Sequence, residues 1–221
     1  MRVEWYGQSA FRLSAPEATV FIDPFGDMSP AAAHGLQFEY PPIEGVGCDL
    51  VLVTHEHLDH NATEAIDGDP RALRATAGRL ESPIGEVLAI ASEHDDAAGT
   101  ERGPNTIFSF ELDGIRVVHF GDFGQRALRD EQAAAIDSPD LLFLPVGGGP
   151  TIGAEQAALI VEQLEPRWVV PMHYRTPRIS FLEPVDEFIE RMSNVVRLTE
   201  PTFDTAQLDG DHPLVVVPAV P

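Results

Sequence analysis

The chain has 221 residues and sets 14 Lys+Arg against 36 Asp+Glu, a formal net charge of -22 in which every Lys+Arg cation is an arginine. A surface this acidic repels polyphosphate backbones and argues against nucleic-acid binding, and no apolar run approaches the ~20 residues of a membrane span. The hydrophobic fraction of 43% is ordinary, and no linker-like shift in composition divides the chain, so one domain over residues 1–221 is expected.

MRVEWYGQSAF at the N-terminus holds no apolar stretch of signal-peptide length and begins directly with strand-like alternation, so a cytoplasmic protein is expected. Strand-like runs follow at Val3–Tyr6, Ala10–Leu13, Thr19–Asp23, Asp49–Thr54, Val87–Ser92, Thr106–Leu112 and Ile115–Phe120. Cys48, the single cysteine, lies beside one of them and reads as a buried structural thiol. Asp113-Gly114 joins the last two runs with the dipeptide of a two-residue hairpin turn. Beyond it the pattern alternates. Leu141–Pro145, Trp168–Pro171, Val195–Leu198 and Leu214–Val217 are apolar, while Ala154–Leu164 and Pro184–Met192 have helical spacing. Ala157, Ile160, Val161 and Leu164 share one helix face, as expected of a helix laid on a sheet. This order suits a mixed α/β protein of two sheets between helical layers.

The chemistry concentrates at Thr54-His55-Glu56-His57-Leu58-Asp59-His60, which places three of the chain's eight histidines within six residues just past the apolar Leu50–Val53. Imidazole and carboxylate at this density suit zinc and neighbouring divalent ions better than a solvated loop. Other ligand types follow strands in the same way: His94 after Val87–Ser92, Asp122 after Ile115–Phe120, His173 after Trp168–Pro171. Taken singly each reads as a loop-edge polar residue. Together they could assemble a two-metal site at one sheet edge.

These motifs, with Trp5-Tyr6-Gly7-Gln8-Ser9-Ala10-Phe11, Phe21-Ile22-Asp23-Pro24, Gly103-Pro104-Asn105-Thr106, Pro145-Val146-Gly147-Gly148 and Pro171-Met172-His173-Tyr174, resemble the metallo-β-lactamase fold superfamily, in particular its branch of ascorbate-6-phosphate lactonase-like metal-dependent hydrolases. The resemblance implies an αββα sandwich of two mixed sheets flanked by helices. It implies that His55, His57 and His94 hold one divalent ion, that Asp59, His60 and His173 hold a second, and that Asp122 bridges them. Zinc is the expected metal, ahead of manganese and iron, and Asp59 and Asp122 are the candidate catalytic carboxylates. Many members of the branch carry histidine where Gln8 stands, and glutamine does not titrate near neutral pH.

Asp23 is expected to steady the metal loop by accepting backbone or histidine N–H bonds, and His119 to be a hydrogen-bonded supporting histidine. His34 and His212 sit in loop segments and receive no role. Gly148, Tyr174 and Arg175 are candidate substrate contacts, Arg175 because its planar fork pairs with carboxylate or phosphate; a surface ion pair is the equal alternative. The expected activity is attack on a small ester, lactone, amide or phosphodiester by a metal-bound hydroxide. An iron-dependent redox enzyme and a non-catalytic metal-binding scaffold are the alternatives. The partner expected is a small molecule, with neither nucleic acid nor membrane.

Overall fold

The computed structural model describes residues 1–33 and 35–221, so His34 lies outside the described residues. The first sheet forms from β1 (Arg2–Gly7), β2 (Ala10–Ser14), β3 (Thr19–Ile22), β4 (Leu50–Val53) and β5 (Arg71–Arg74), with the short α1 (Ser29–Ala33) between β3 and β4. The second begins with β6 (Gly78–Ser82), β7 (Gly85–Glu93), β8 (Pro104–Leu112) and β9 (Ile115–His119). It then alternates as α2 (Asp130–Ile136), β10 (Leu141–Pro145), α3 (Ala154–Leu164), β11 (Trp168–Met172), α4 (Asp186–Ile189) and β12 (Val195–Arg197). Finally β13 (Thr202–Asp204) returns to the first sheet and β14 (Leu214–Val217) to the second. Strand order is β13-β1-β2-β3-β4-β5 in one sheet and β12-β14-β11-β10-β9-β8-β7-β6 in the other, both mixed in direction.

Side-chain alternation assigns the faces. Val20 and Ile22 of β3, with Leu50 and Leu52 of β4, enter the main core together with Val117, Leu142, Phe143 and Val169 of the second sheet. Phe21, Val51 and Val53 turn to the opposite face, where the strap between β3 and β4 covers them with Phe25, Tyr40 and Ile43. Helix α3 buries Ala157, Ile160, Val161 and Leu164, each large aliphatic contributing about 1.5–3 kcal/mol. It ends at Glu165 in the left-handed region, whose N–H caps the Val161 carbonyl. Asp113 and Gly114 both take positive φ, 57° and 68°, as the hairpin turn requires.

The αββα sandwich expected from sequence is the fold. Some elements differ from expectation in extent. The helix expected over Pro184–Met192 has its regular part only at Asp186–Ile189, because Pro184 is held extended in a bridge to Arg175. Edge strands β5, β6 and β13 and helices α1 and α2 had no clear sequence signal. No helix among the described residues is long and apolar enough to cross a membrane.

Candidate metal centre

Loops leaving the ends of apolar strands bring the polar residues to one edge. Asp23 follows β3, His55 to His60 follow β4, His94 follows β7, Asp122 follows β9 and His173 follows β11. Because β3 is parallel to β4, and β9, β10 and β11 are parallel in order, their C-terminal ends open together. His55, His60, His94, Asp122 and His173 are buried, Asp59 is partly so and His57 is exposed.

Asp122 stands at the centre of the cluster. Its Oδ2 lies 3.2 Å from His94 Nε2, 3.1 Å from His173 Nε2 and 3.9 Å from His55 Nε2, while its Oδ1 is 3.4 Å from His60 Nε2. One donor atom each from His55, His57 and His94 falls within 4.8 Å of the others, and the same is true of Asp59, His60 and His173. Two triads thus flank one carboxylate.

Outer hydrogen bonds decide which nitrogen faces inward. The Pro150 carbonyl can only accept, so His94 Nδ1–H donates to it at 3.0 Å and Nε2 is left toward Asp122. Asp23 does the same for His60, accepting Nδ1–H at 2.9 Å; it also accepts the Thr54 N–H at 2.8 Å and the Thr54 hydroxyl at 2.7 Å. With its proton directed at Asp23, the Thr54 hydroxyl accepts from His55 Nδ1 at 3.1 Å. Held this way, His94 turns its Nε2 toward the Asp122 carboxylate, the nitrogen left to meet a cation. Among the described residues, His60 Nε2 and His173 Nδ1 are buried without a hydrogen-bond partner. A donor set of imidazole and carboxylate fits zinc or manganese.

Crowding also fixes the ionisation states. Burial opposes a charge on His60, but Asp122, Asp59 and Asp23 outweigh it and hold the imidazolium well above its ordinary range. Burial likewise pushes the Asp122 carboxyl up, and His173 and His60 more than reverse this, leaving it well below the usual range. Asp59 is held low by His60 in the same way. His55 is driven well down by burial and by repulsion from His60, and His57, exposed but partly desolvated by the neighbouring loops, is lowered by that desolvation and by His94. Ionised carboxylates and neutral imidazoles are the forms that take a metal, so an ion entering beside His60 must displace the proton these carboxylates hold on it.

The family model for the beta-lactamase superfamily domain matches residues 2–173. The UPF0173 metal-dependent hydrolase of Thermococcus kodakarensis is 32% identical over 205 residues, covering 80% of this chain and 85% of that protein. The chain belongs to the metallo-β-lactamase superfamily, among its UPF0173 metal-dependent hydrolases. A crystal structure from Thermotoga maritima, named for the Zn-dependent hydrolases of this superfamily, is 28% identical, covers 98% of both chains and superposes with a TM-score of 0.79. A metallo hydrolase from Ignicoccus hospitalis shares the fold at 23% identity, with 92% of this chain and 98% of that one covered and a TM-score of 0.63.

In this UPF0173 chain two glycines permit the close approach of the loops. A Cβ on Gly121 (φ +56°) would lie 2.7 Å from Thr54 Cβ, and one on Gly147 would overlap the His173 carbonyl oxygen. His119 is buried as a bracket. Its Nε2–H donates to the Ser9 carbonyl at 3.1 Å, and its Nδ1 accepts the Gly121 N–H at 3.1 Å. Burial lowers its pKa, which keeps the ring neutral. Gln8 is buried at φ 51°, and its side-chain amide has no hydrogen-bond partner among the described residues.

A cavity of about 360 Å³ opens over the cluster, lined by Met28, Ala31, Leu36 and Phe38 of the strap, by His57, Leu58 and Asp59, and by His94, Arg102, Asp122, Pro150, His173 and Phe181. None of the three substrate contacts expected from sequence is among its walls. The Gly148 N–H is engaged by the Ile152 carbonyl at 3.0 Å. Tyr174 is buried against Trp5, ring centroids 5.6 Å apart, with burial pushing its hydroxyl pKa up. Arg175, exposed, has its backbone tied to Glu183 at 2.8 Å and to Pro184 by a bridge. His212 is exposed and donates from Nδ1 to the Arg167 carbonyl at 3.0 Å.

Sequence reasoning missed two supports of Asp122. Asn105 Oδ1 accepts the Asp122 N–H at 3.1 Å, and its amide donates to the Phe120 carbonyl and to Ser92 Oγ, both at 2.8 Å. The Ser9 hydroxyl lies 3.4 Å from Asp122 Oδ1. Both residues stand inside motifs quoted for the resemblance, yet only long-range pairing shows what they touch.

Proposed function

We propose that this protein hydrolyses a small ester, lactone, amide or phosphodiester at a centre holding two divalent ions, zinc ahead of manganese. His55, His57 and His94 would hold one ion, Asp59, His60 and His173 the other, with Asp122 serving both. The observation that carries this reading is the outer hydrogen bonding of His94 to Pro150 and of His60 to Asp23, which turns both Nε2 atoms toward Asp122. Divalent ions in such a site acidify water and withdraw charge from the substrate oxygen.

The chain's own groups supply the rest. Water adds to the acyl or phosphoryl centre, the bond to the leaving oxygen or nitrogen breaks, and the leaving group receives a proton. Asp59 lines the cavity with an ionised carboxylate. One of its oxygens faces His60, at 3.5 Å from Nε2, and the other is suited to accept a hydrogen bond from the attacking water and orient it, the water's proton passing to the leaving group. Asp23, Thr54 and Pro150 fix the imidazoles before substrate arrives. Ser9 offers no competing nucleophile, because its buried hydroxyl points at Asp122 and only its carbonyl meets His119. The net charge of -22 favours a small substrate over a nucleic acid.

The test is to strip the protein with chelator, reload it with zinc or manganese, and assay lactones, phosphodiesters and thioesters. Turnover should require metal, and Asp122→Ala should abolish most of it together with part of the bound metal. Hydrolysis undiminished in metal-free protein would refute the mechanism.

A further inference from the structure

The cavity over the metal centre is asymmetric in polarity. Among the described residues the large hydrophobic side chains left exposed are Leu36, Leu58, Leu159, Phe181, Val195 and Val220, and three of these, Leu36, Leu58 and Phe181, line this one cavity. Met28 and Phe38 extend the apolar wall and continue into a neighbouring groove with Phe25 and Tyr40. Isolated exposed hydrophobics are unremarkable in a folded protein, but their convergence on a cavity marks a binding surface.

The other side is different. Arg102 is the one arginine among the described residues lining the cavity, and it forms no ion pair with them. Most arginines near by are engaged: Arg74 with Glu56, Arg126 with Asp96 and Arg129 with Glu93. Asp59 and Asp122 line the same cavity, but neither forms an ion pair with Arg102, so its guanidinium is an unengaged partner for an anion. Its backbone is anchored, since the Asp95 carboxylate accepts the Arg102 N–H at 2.8 Å and those of Ala97, Gly99 and Glu101 as well. Beyond Arg102 and Pro150 the cavity adjoins a second one of about 340 Å³, lined by Asp96 and Glu101 as well as Gln125, Arg126 and Gln156, its Asp95 carboxylate engaged by backbone N–H groups and Asp96 by Arg126. The cavity therefore continues through Met28 and Phe38 into an adjoining groove and through Arg102 and Pro150 into a polar one.

Resting on the hydrolytic reading above, we propose that the substrate is an acyl ester, thioester or amide whose apolar acyl group packs on Leu36, Phe38, Leu58 and Phe181, and whose leaving side carries a carboxylate or phosphate that pairs with Arg102. The 360 Å³ volume equals about a dozen water volumes of ~30 Å³, room for a chain of about eight carbons beside the scissile group.

Binding is measured first, on metal-free protein, with N-octanoylglycine, N-acetylglycine and the neutral N-octanoyl methylamide as probes. N-octanoylglycine should bind about thirtyfold or more tightly than N-acetylglycine, since each buried methylene contributes up to about fourfold, and about tenfold more tightly than the neutral amide. Arg102→Leu should erase the preference for the anion and keep that for chain length; the double variant Leu36→Ala, Phe181→Ala should do the reverse. Equal affinity for acetyl and octanoyl probes, or an anion preference that survives Arg102→Leu, overturns the proposal. Octanoyl and acetyl esters of glycolate are then assayed with zinc-loaded enzyme. Chain-selective binding without hydrolysis of either ester would sink the hydrolytic reading and the substrate assignment, leaving a ligand site. Hydrolysis of both at equal kcat/KM would leave the hydrolase standing and remove the acyl pocket.

Discussion

Asp23→Asn separates the support of the metal centre from the support of the fold. In the wild type, Asp23 Oδ1 accepts the Thr54 N–H at 2.8 Å, while Oδ2 accepts the Thr54 hydroxyl at 2.7 Å and His60 Nδ1–H at 2.9 Å. Asparagine preserves the first bond and places an NH2 where Oδ2 stood. The amide NH2 would then face the His60 Nδ1–H donor, so when the imidazolium gives up one proton the ring keeps the other on Nε2, the nitrogen 3.4 Å from Asp122 Oδ1. A protonated Nε2 cannot ligate, and losses of this kind lower metal affinity about 10–100-fold. The Thr54 hydroxyl can rotate, so the metal-free fold should lose only about 1–3 kcal/mol. Asp23→Ala instead strands three buried donors and should cost about 3–6 kcal/mol. Competitive chelator titration counts the ions and their affinities, and urea unfolding in excess chelator reads the stability. The reasoning predicts that Asp23→Asn keeps the first ion at wild-type affinity and weakens the second. Wild-type affinity for both ions would show that Asp23 does not orient His60.

Asn105→Ala removes the acceptor of the Asp122 N–H and two donated bonds; it should destabilise the protein by about 2–4 kcal/mol and lower kcat more than KM, measured by urea melts and steady-state kinetics. Gly147→Ala would force the His173 backbone aside, so metal analysis should find less than the wild-type metal content in a folded protein by circular dichroism. The Cys48 thiol, pushed up to about 11 by burial, holds little thiolate at pH 8. Its alkylation there should be about a hundredfold slower than that of a free cysteine and should rise about tenfold per pH unit up to pH 10. Labelling at the free-thiol rate would contradict that environment.

The candidate metal cluster was legible because its residues stand just after strands that advertise themselves. Leu50–Val53 and Trp168–Met172 are buried at every position, so their apolar runs are continuous and their ends sharp. β5, with only Leu73 buried, and the exposed β6 give no such signal; edge strands can be polar because one side pairs with nothing. The strap between β3 and β4 has neither helical nor strand period, and its role as a cavity wall comes from packing on Phe21 and Val51. Substrate contacts were hardest to read. Arg175 was attractive by nearness in sequence to His173, whereas Arg102 reaches the cavity from the turn between β7 and β8, held there by Asp95. Nearness in the chain says little about nearness across two sheets.

The proposed ligands hang from both halves of the sandwich: His55 to His60 leave the first sheet, and His94, Asp122 and His173 leave the second. An ion seated there works as a clasp across the seam. At a free concentration a thousand times the dissociation constant, each site would add about 4.1 kcal/mol to the folded state, comparable with the whole stability margin of many domains at roughly 5–15 kcal/mol. A chelator would then lower the stability of the fold as well as any activity that needs the ions, and the amount of this protein surviving in a cell would follow the supply of metal.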